Sequence, residues 1–184
     1  MSRLALITVA GIALAAELSR RGSRAMVDEG MVGNYWGSQG VGTLLTTGQE
    51  VFLTLRSAHV LDPEVWGLPG GAVRVDSSTG ESDDLYFSAS TELQEETGLT
   101  LSPEEIRSGT VATTVFRPPR STFRFTTFVV RAPARVDLRR VRLNWENTDA
   151  GWFTPEDLLN LKLHPGVTFS LRQAWASIFD RSAP

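Results

Sequence analysis

The first pattern along the chain is an apolar run from Leu4 to Ala16, followed by Glu17, Arg20 and Arg21. The run is too short to span a bilayer. A single early Arg3, with Glu and Arg where small residues should mark a cleavage site, makes a poor secretory leader. The pattern predicts an amphipathic helix from Leu4 to Arg20 with Gly22 beyond its end, lying on the domain or at the contact of a homodimer, or else an ill-ordered leader. Residues 1–30 are read as this extension and 31–184 as a single domain.

Beyond residue 30 the period shortens. Gly40 to Thr47 and Val51 to Arg56 are β-rich runs separated by Gly48-Gln49-Glu50, which predicts a hairpin. Two prolines and no sustained period make Ser57 to Gly71 a loop. Asp83 to Thr97 carries Leu85, Ala89 and Leu93 at four-residue steps before Gly98, the pattern of a helix with one apolar stripe and a glycine cap. Val111 to Phe116 and Thr122 to Arg131 predict two further strands, and Gly151-Trp152-Phe153 ends another. Thr154-Pro155-Glu156-Asp157 reads as a helix start with Thr154 as N-cap. Val167 to Phe179 predicts the closing helix, with Leu171, Ala174, Trp175 and Ile178 on one face. Strands with interleaved helices point to an α/β or α+β class, and His59 and His164 read as loop residues.

Composition narrows the chemistry more than the fold. The 184 residues carry a net charge of −3, so no basic field draws the chain to duplex nucleic acid or an anionic membrane. There is no cysteine, which removes disulfides, thiolate metal sites and cysteine nucleophiles, and fits a cytoplasmic setting. Any metal ion must then be held by oxygen or by the two histidines. Glu92, Glu95 and Glu96 stand at i, i+3 and i+4, which predicts three carboxylates on one side of the Asp83–Thr97 helix, opposite Ala89 and Leu93. Such a run is either a solvated acidic face or a hard-oxygen site suited to Mg2+ or Mn2+ and hence to phosphate substrates. A glycine-rich stretch, Trp66-Gly67-Leu68-Pro69-Gly70-Gly71, lies immediately upstream.

Thr91-Glu92-Leu93-Gln94-Glu95-Glu96-Thr97-Gly98-Leu99 resembles the second half of the Nudix hydrolase box, departing from it at Thr91, where the family has arginine. The first half is expanded: nine residues separate Gly71 from Glu81 and nine more precede Thr91, with Asp83 competing with Glu81 for the box acid. Leu68-Pro69-Gly70-Gly71, Glu146, Trp152-Phe153 and Leu163-His164-Pro165-Gly166 are similar to further family features. The resemblance implies an α/β/α sandwich with a mixed sheet. It also implies metal-dependent hydrolysis of a nucleoside diphosphate linked to another group, with Glu92, Glu95, Glu96 and Glu81 at the metal. Glu146 is the candidate proton acceptor on a later loop. Gly70, Gly71, Arg56, Arg124, Tyr35 and Trp152 are the substrate-binding candidates. Threonine cannot stand in for a guanidinium fork, so the alternative is a catalytically weak nucleotide-binding module.

Overall fold

The computed structural model describes residues 39–73, 82–119 and 121–180. The expected helix at Leu4–Arg20, Tyr35 and Glu81 lie outside the described residues. Within them seven strands form one mixed sheet, flanked by helices on both faces. The strands are β1 (Gln39–Thr46), β2 (Val51–Arg56), β3 (Trp66–Gly67), β4 (Gly70–Ala72), β5 (Thr110–Phe116), β6 (Arg124–Arg131) and β7 (Asn147–Phe153). The helices are α1 (Leu85–Thr97), α2 (Pro103–Gly109) and α3 (Pro165–Ile178).

Alternation along the central strands builds two cores. Leu44, Val51, Leu53 and Val129 face α3, where they meet Leu158, Val167, Leu171 and Ile178. Val41, Leu45, Phe52, Phe128 and Val130 face the other way, onto Ala89 of α1 and Ile106 of α2. Strands covered on both faces read as continuous apolar runs, which is how β1, β2 and β6 appear in the sequence. Burying each such side chain contributes roughly 1.5–3 kcal/mol.

The expected hairpin forms, but its strands part at once. β1 and β2 pair at Thr46 and Val51, after which β1 runs parallel to β6 along its whole length and β2 runs antiparallel to β7. The fork between β1 and β2 is filled by the segment expected to be loop. β3 pairs with β2 at Thr54 and Leu55, β4 pairs with β1 from Gly40 to Gly42, and Thr43 N–H donates to the Pro69 carbonyl between them at 2.9 Å. Two- and three-residue strands are too short for periodicity to reveal.

Two other elements differ from expectation. α2 is an additional helix, started by a capping box in which Ser102 and Glu105 each satisfy the other's backbone N–H. The helix expected after Thr154 is a single 3-10 turn, Asp157–Asn160. Its Thr154 hydroxyl still accepts from Asp157 N–H at 3.2 Å, while the Asp157 carboxylate accepts from Thr154 N–H at 2.9 Å. His164, expected in a loop, is the N-cap of α3: its ring nitrogen accepts from Gly166 N–H, and its other nitrogen lies 3.2 Å from Asp62. That hydrogen bond holds the Asp62 carboxyl below the usual range against the cost of burial.

Candidate active site

α1 places its acids because both of its ends are fixed. Asp84 caps the start by accepting from Tyr86 and Phe87 N–H. Gly98 ends it in a left-handed conformation, at φ 69°, which glycine adopts without strain. Between these caps Ala89 and Leu93 lock the helix to the sheet. The last two turns then lie over the Gly70–Gly71 strand that fills the fork.

The three glutamates do not share one environment. Glu95 is exposed and Glu92 half-buried, whereas Glu96 is only 3% exposed. This corrects the expectation that all three stand opposite Ala89 and Leu93. Glu96 is seven residues from Ala89, almost two full turns at 3.6 residues each, so it returns to the buried face. There its carboxylate accepts from Gly70 N–H at 2.8 Å and from the Asn147 side-chain amide at 2.6 Å. Glu92, one turn earlier, lies against Gly71, where an added Cβ would come within 2.6 Å of its carboxylate. Gly71 is therefore required by the close approach of Glu92, and Gly70 by the close approach of β1, where its added Cβ would come within 2.5 Å of the Val41 carbonyl oxygen.

Burial pushes the Glu96 carboxyl up to about 7, with the Glu146 and Glu92 charges adding to the rise and the hydrogen bonds from Gly70 and Asn147 opposing it. Glu146 is thus within electrostatic reach of Glu96, although it comes from the chain before β7. Its position is set by backbone: Glu146 N–H donates to the Asn144 side-chain oxygen at 2.9 Å, and the Glu146 carbonyl accepts from Ser57 N–H at 2.7 Å. Asn144 N–H in turn donates to the Glu96 carbonyl at 3.3 Å, tying this segment to the end of α1.

Among the described residues no group of three or more His, Asp or Glu side chains is gathered closely enough to enclose a metal ion. An open set of carboxylates nevertheless suits magnesium, which keeps several waters and takes one or two carboxylates together with substrate phosphates. The donors are all oxygen, and the Glu96 and Glu92 carboxylates lie against a strand without side chains at Gly70 and Gly71. The residues fit such an ion.

The other candidates divide clearly. Asp83 lines a shallow cleft with Ala72, Phe87, Ser88, Thr91 and Glu92, which brings this competing box acid to the site. The Thr91 hydroxyl donates to the Phe87 carbonyl at 3.1 Å. The Arg56 guanidinium is engaged by the Leu61 and Asp62 carbonyls and braces the 57–65 loop. Arg124 starts β6, with β1 between it and β4. Trp152 packs against Phe52 and donates its indole N–H to the Val136 carbonyl, so it supports the core. Two residues escaped the sequence reading. Trp145, beside Glu146, is 67% exposed. Asn147 carries no pattern that would have pointed to it.

A mixed sheet between helical layers, with a buried glutamate on one helix facing a glycine strand, defines an acidic-site α/β/α sandwich. The NUDIX domain family matches residues 38–171. A protein of Mycobacterium tuberculosis named "Putative 8-oxo-dGTP diphosphatase 3" is 31% identical over 153 residues, covering 78% of this chain and 66% of its own length. The chain thus spans just under two thirds of that relative. Among solved structures, a Nudix hydrolase from M. smegmatis, RenU, superposes with a TM-score of 0.55 at 24% identity, over 78% of this chain and 89% of that one. A bifunctional NMN adenylyltransferase/ADP ribose pyrophosphatase from Francisella tularensis, complexed with AMP and a manganese ion, superposes with a TM-score of 0.57 at 18% identity, over 94% of this chain and 50% of that one. The chain belongs to the Nudix hydrolase family.

Proposed function

We propose that the protein hydrolyses the pyrophosphate linkage of a nucleoside diphosphate joined to another group, with Mg2+ or Mn2+ as cofactor. The observation that carries this reading is Glu96, a carboxylate buried and oriented by two donors beside Glu92 and within reach of Glu146. A carboxylate left in such a place costs stability, so a cation-dependent task accounts for it better than packing does. Glu92 and Glu96 would hold the ion, with Glu95 and either Glu81 or Asp83 as further candidate ligands. When bound, the ion supplies charge neutralisation at the diphosphate and acidification of water.

The remaining steps belong to the chain. Glu146 accepts the proton of the attacking water, since its backbone anchors hold it within electrostatic reach of Glu96. Water adds to one phosphorus and the bridging oxygen leaves with the other, giving a nucleoside monophosphate and a phosphorylated remainder. Trp145, exposed and next to Glu146, is the platform on which the base stacks. It takes the role first assigned to Trp152.

The name of the tuberculosis relative favours a nucleoside triphosphate with an altered purine as one member of a test panel. Incubation with 8-oxo-dGTP, ADP-ribose, nucleotide sugars and dinucleoside polyphosphates plus magnesium, with products separated by chromatography, tests the reading. Monophosphate release from one of them supports it. Thr91 favours a second reading, a nucleotide-binding module with little turnover, because its hydroxyl is spent on the helix backbone. Magnesium and nucleotide binding by calorimetry without product formation selects that alternative.

A further inference from the structure

We infer that Asn147 is a positioning residue that orients the Glu96 carboxylate for a divalent cation, taking over a task that the box position occupied by Thr91 cannot perform. The inference rests on the metal-dependent reading above and assigns a role that the box pattern does not contain. Thr91 turns its hydroxyl back to the Phe87 carbonyl at 3.1 Å, within its own helix. The Glu96 carboxylate is instead held by donors from outside its helix. One oxygen accepts from Gly70 N–H and the other from the Asn147 amide at 2.6 Å, with Asn147 itself only 5% exposed.

Asn147 has the anchoring that a positioning residue needs. It opens β7 in register with Arg56 of β2, and its N–H meets the Asn144 carbonyl at 3.4 Å. The Asn144–Asn147 segment also carries Glu146, so one short stretch of chain fixes the amide on Glu96 and the neighbouring carboxylate together. The chemistry of the donor matters as well. An arginine neutralises the carboxylate that it orients, whereas an amide directs one lone pair of each partner oxygen and leaves the full negative charge for a cation. Each Glu96 oxygen accepts one hydrogen bond from these two donors and keeps a second lone pair.

The test uses the full chain and manganese, with affinity read by calorimetry and fold by thermal melting. Wild type should bind the ion. Asn147→Ala should bind it about tenfold or more weakly, the loss expected when a hydrogen bond to a charged group is removed, while still melting cooperatively. Asn147→Leu is close in shape but carries neither donor nor charge, and should weaken binding at least as much. On a turned-over substrate both variants should lose kcat more than they raise KM. Wild-type manganese affinity in both variants overturns the inference and leaves the metal site standing. If Asn147→Ala does not fold, the affinity of Asn147→Leu decides alone. Wild type that takes up no manganese overturns the metal reading itself, and with it the role of Asn147.

Discussion

α1 and α3 cover opposite faces of one sheet with 13 and 14 residues, but they bury different chemistry. α3 places Val167, Leu171, Ala174 and Ile178 in its core, and the one hydroxyl it buries deepest, Ser170, pairs with Thr114 at 2.7 Å. α1 buries only Ala89 and Leu93 as apolar side chains, beside Ser88, Glu96 and Thr97. The helices are also capped unequally: the Asp84 carboxylate accepts from two N–H groups of α1, whereas the His164 cap of α3 accepts from one and is itself bonded to Asp62. α3 thus anchors the sheet, while α1 gives up apolar contact to bring a charge to the strand that fills the fork. Stability and chemistry should then separate by helix.

The largest effect should follow Glu96→Gln on α1. Turnover should fall by roughly two to three orders of magnitude, as for other preorganised electrostatic groups. The melting temperature at pH 8 should hold or rise, because Asn147 can rotate its amide to meet the new one and a buried charge is gone. Equal turnover in this variant and wild type would remove Glu96 from the site. Leu171→Ala on α3 should do the reverse. It should cost about 2–5 kcal/mol in denaturant unfolding, from lost transfer energy and a cavity, with kcat per folded molecule unchanged. A loss of kcat without loss of stability breaks the division between the helices.

The same division has a pH signature. The Glu96 carboxyl is raised from 4.5 to about 7 in the folded protein, so the folded state binds this proton more tightly than the unfolded state does. Its contribution is therefore fully favourable below the unfolded value and is lost as pH rises from about 4.5 through 7, by a few kcal/mol at most. Metal-free protein should become less stable across that window, and Glu96→Gln should flatten the slope; parallel urea titrations at pH 5 and pH 8 read both. Trp145→Ala should show the smallest effect, a rise in KM of about tenfold with kcat nearly kept, as for one lost stacking contact. An unchanged KM places the base elsewhere.

The sequence made the sheet strands and both long helices legible because their signals are local and repeated. Apolar runs mark β1, β2 and β6, four-residue steps mark α1, and Gly98 marks its end. β3 and β4 were hidden because their ladders depend on partners far along the chain, not on their own two or three residues. α2 was announced by Ser102-Pro103-Glu104-Glu105, a start signal that the apolar pattern around it does not reinforce. In the candidate site, the spacing of Glu92 and Glu96 and the two glycines marked where helix and strand meet. Which glutamate is buried required counting two full turns from Ala89. Asn147 was invisible for a different reason: its contact with Glu96 spans 51 positions and leaves no local pattern.

The forked sheet also sets an order of events in time. β1 meets its neighbour β2 at a single pair, while its full-length partner β6 comes about 85 residues later. Loop-closure entropy delays such a pairing, and the contacts of Glu96 with Gly70 and Asn147 require β4 and β7 to be in place as well. A chain still emerging from synthesis, or refolding from denaturant, therefore lacks the finished carboxylate cluster on which the proposed ion could act as a template. Manganese should slow unfolding and leave the refolding rate unchanged in stopped-flow traces, so the ion retains the native state without guiding the chain towards it.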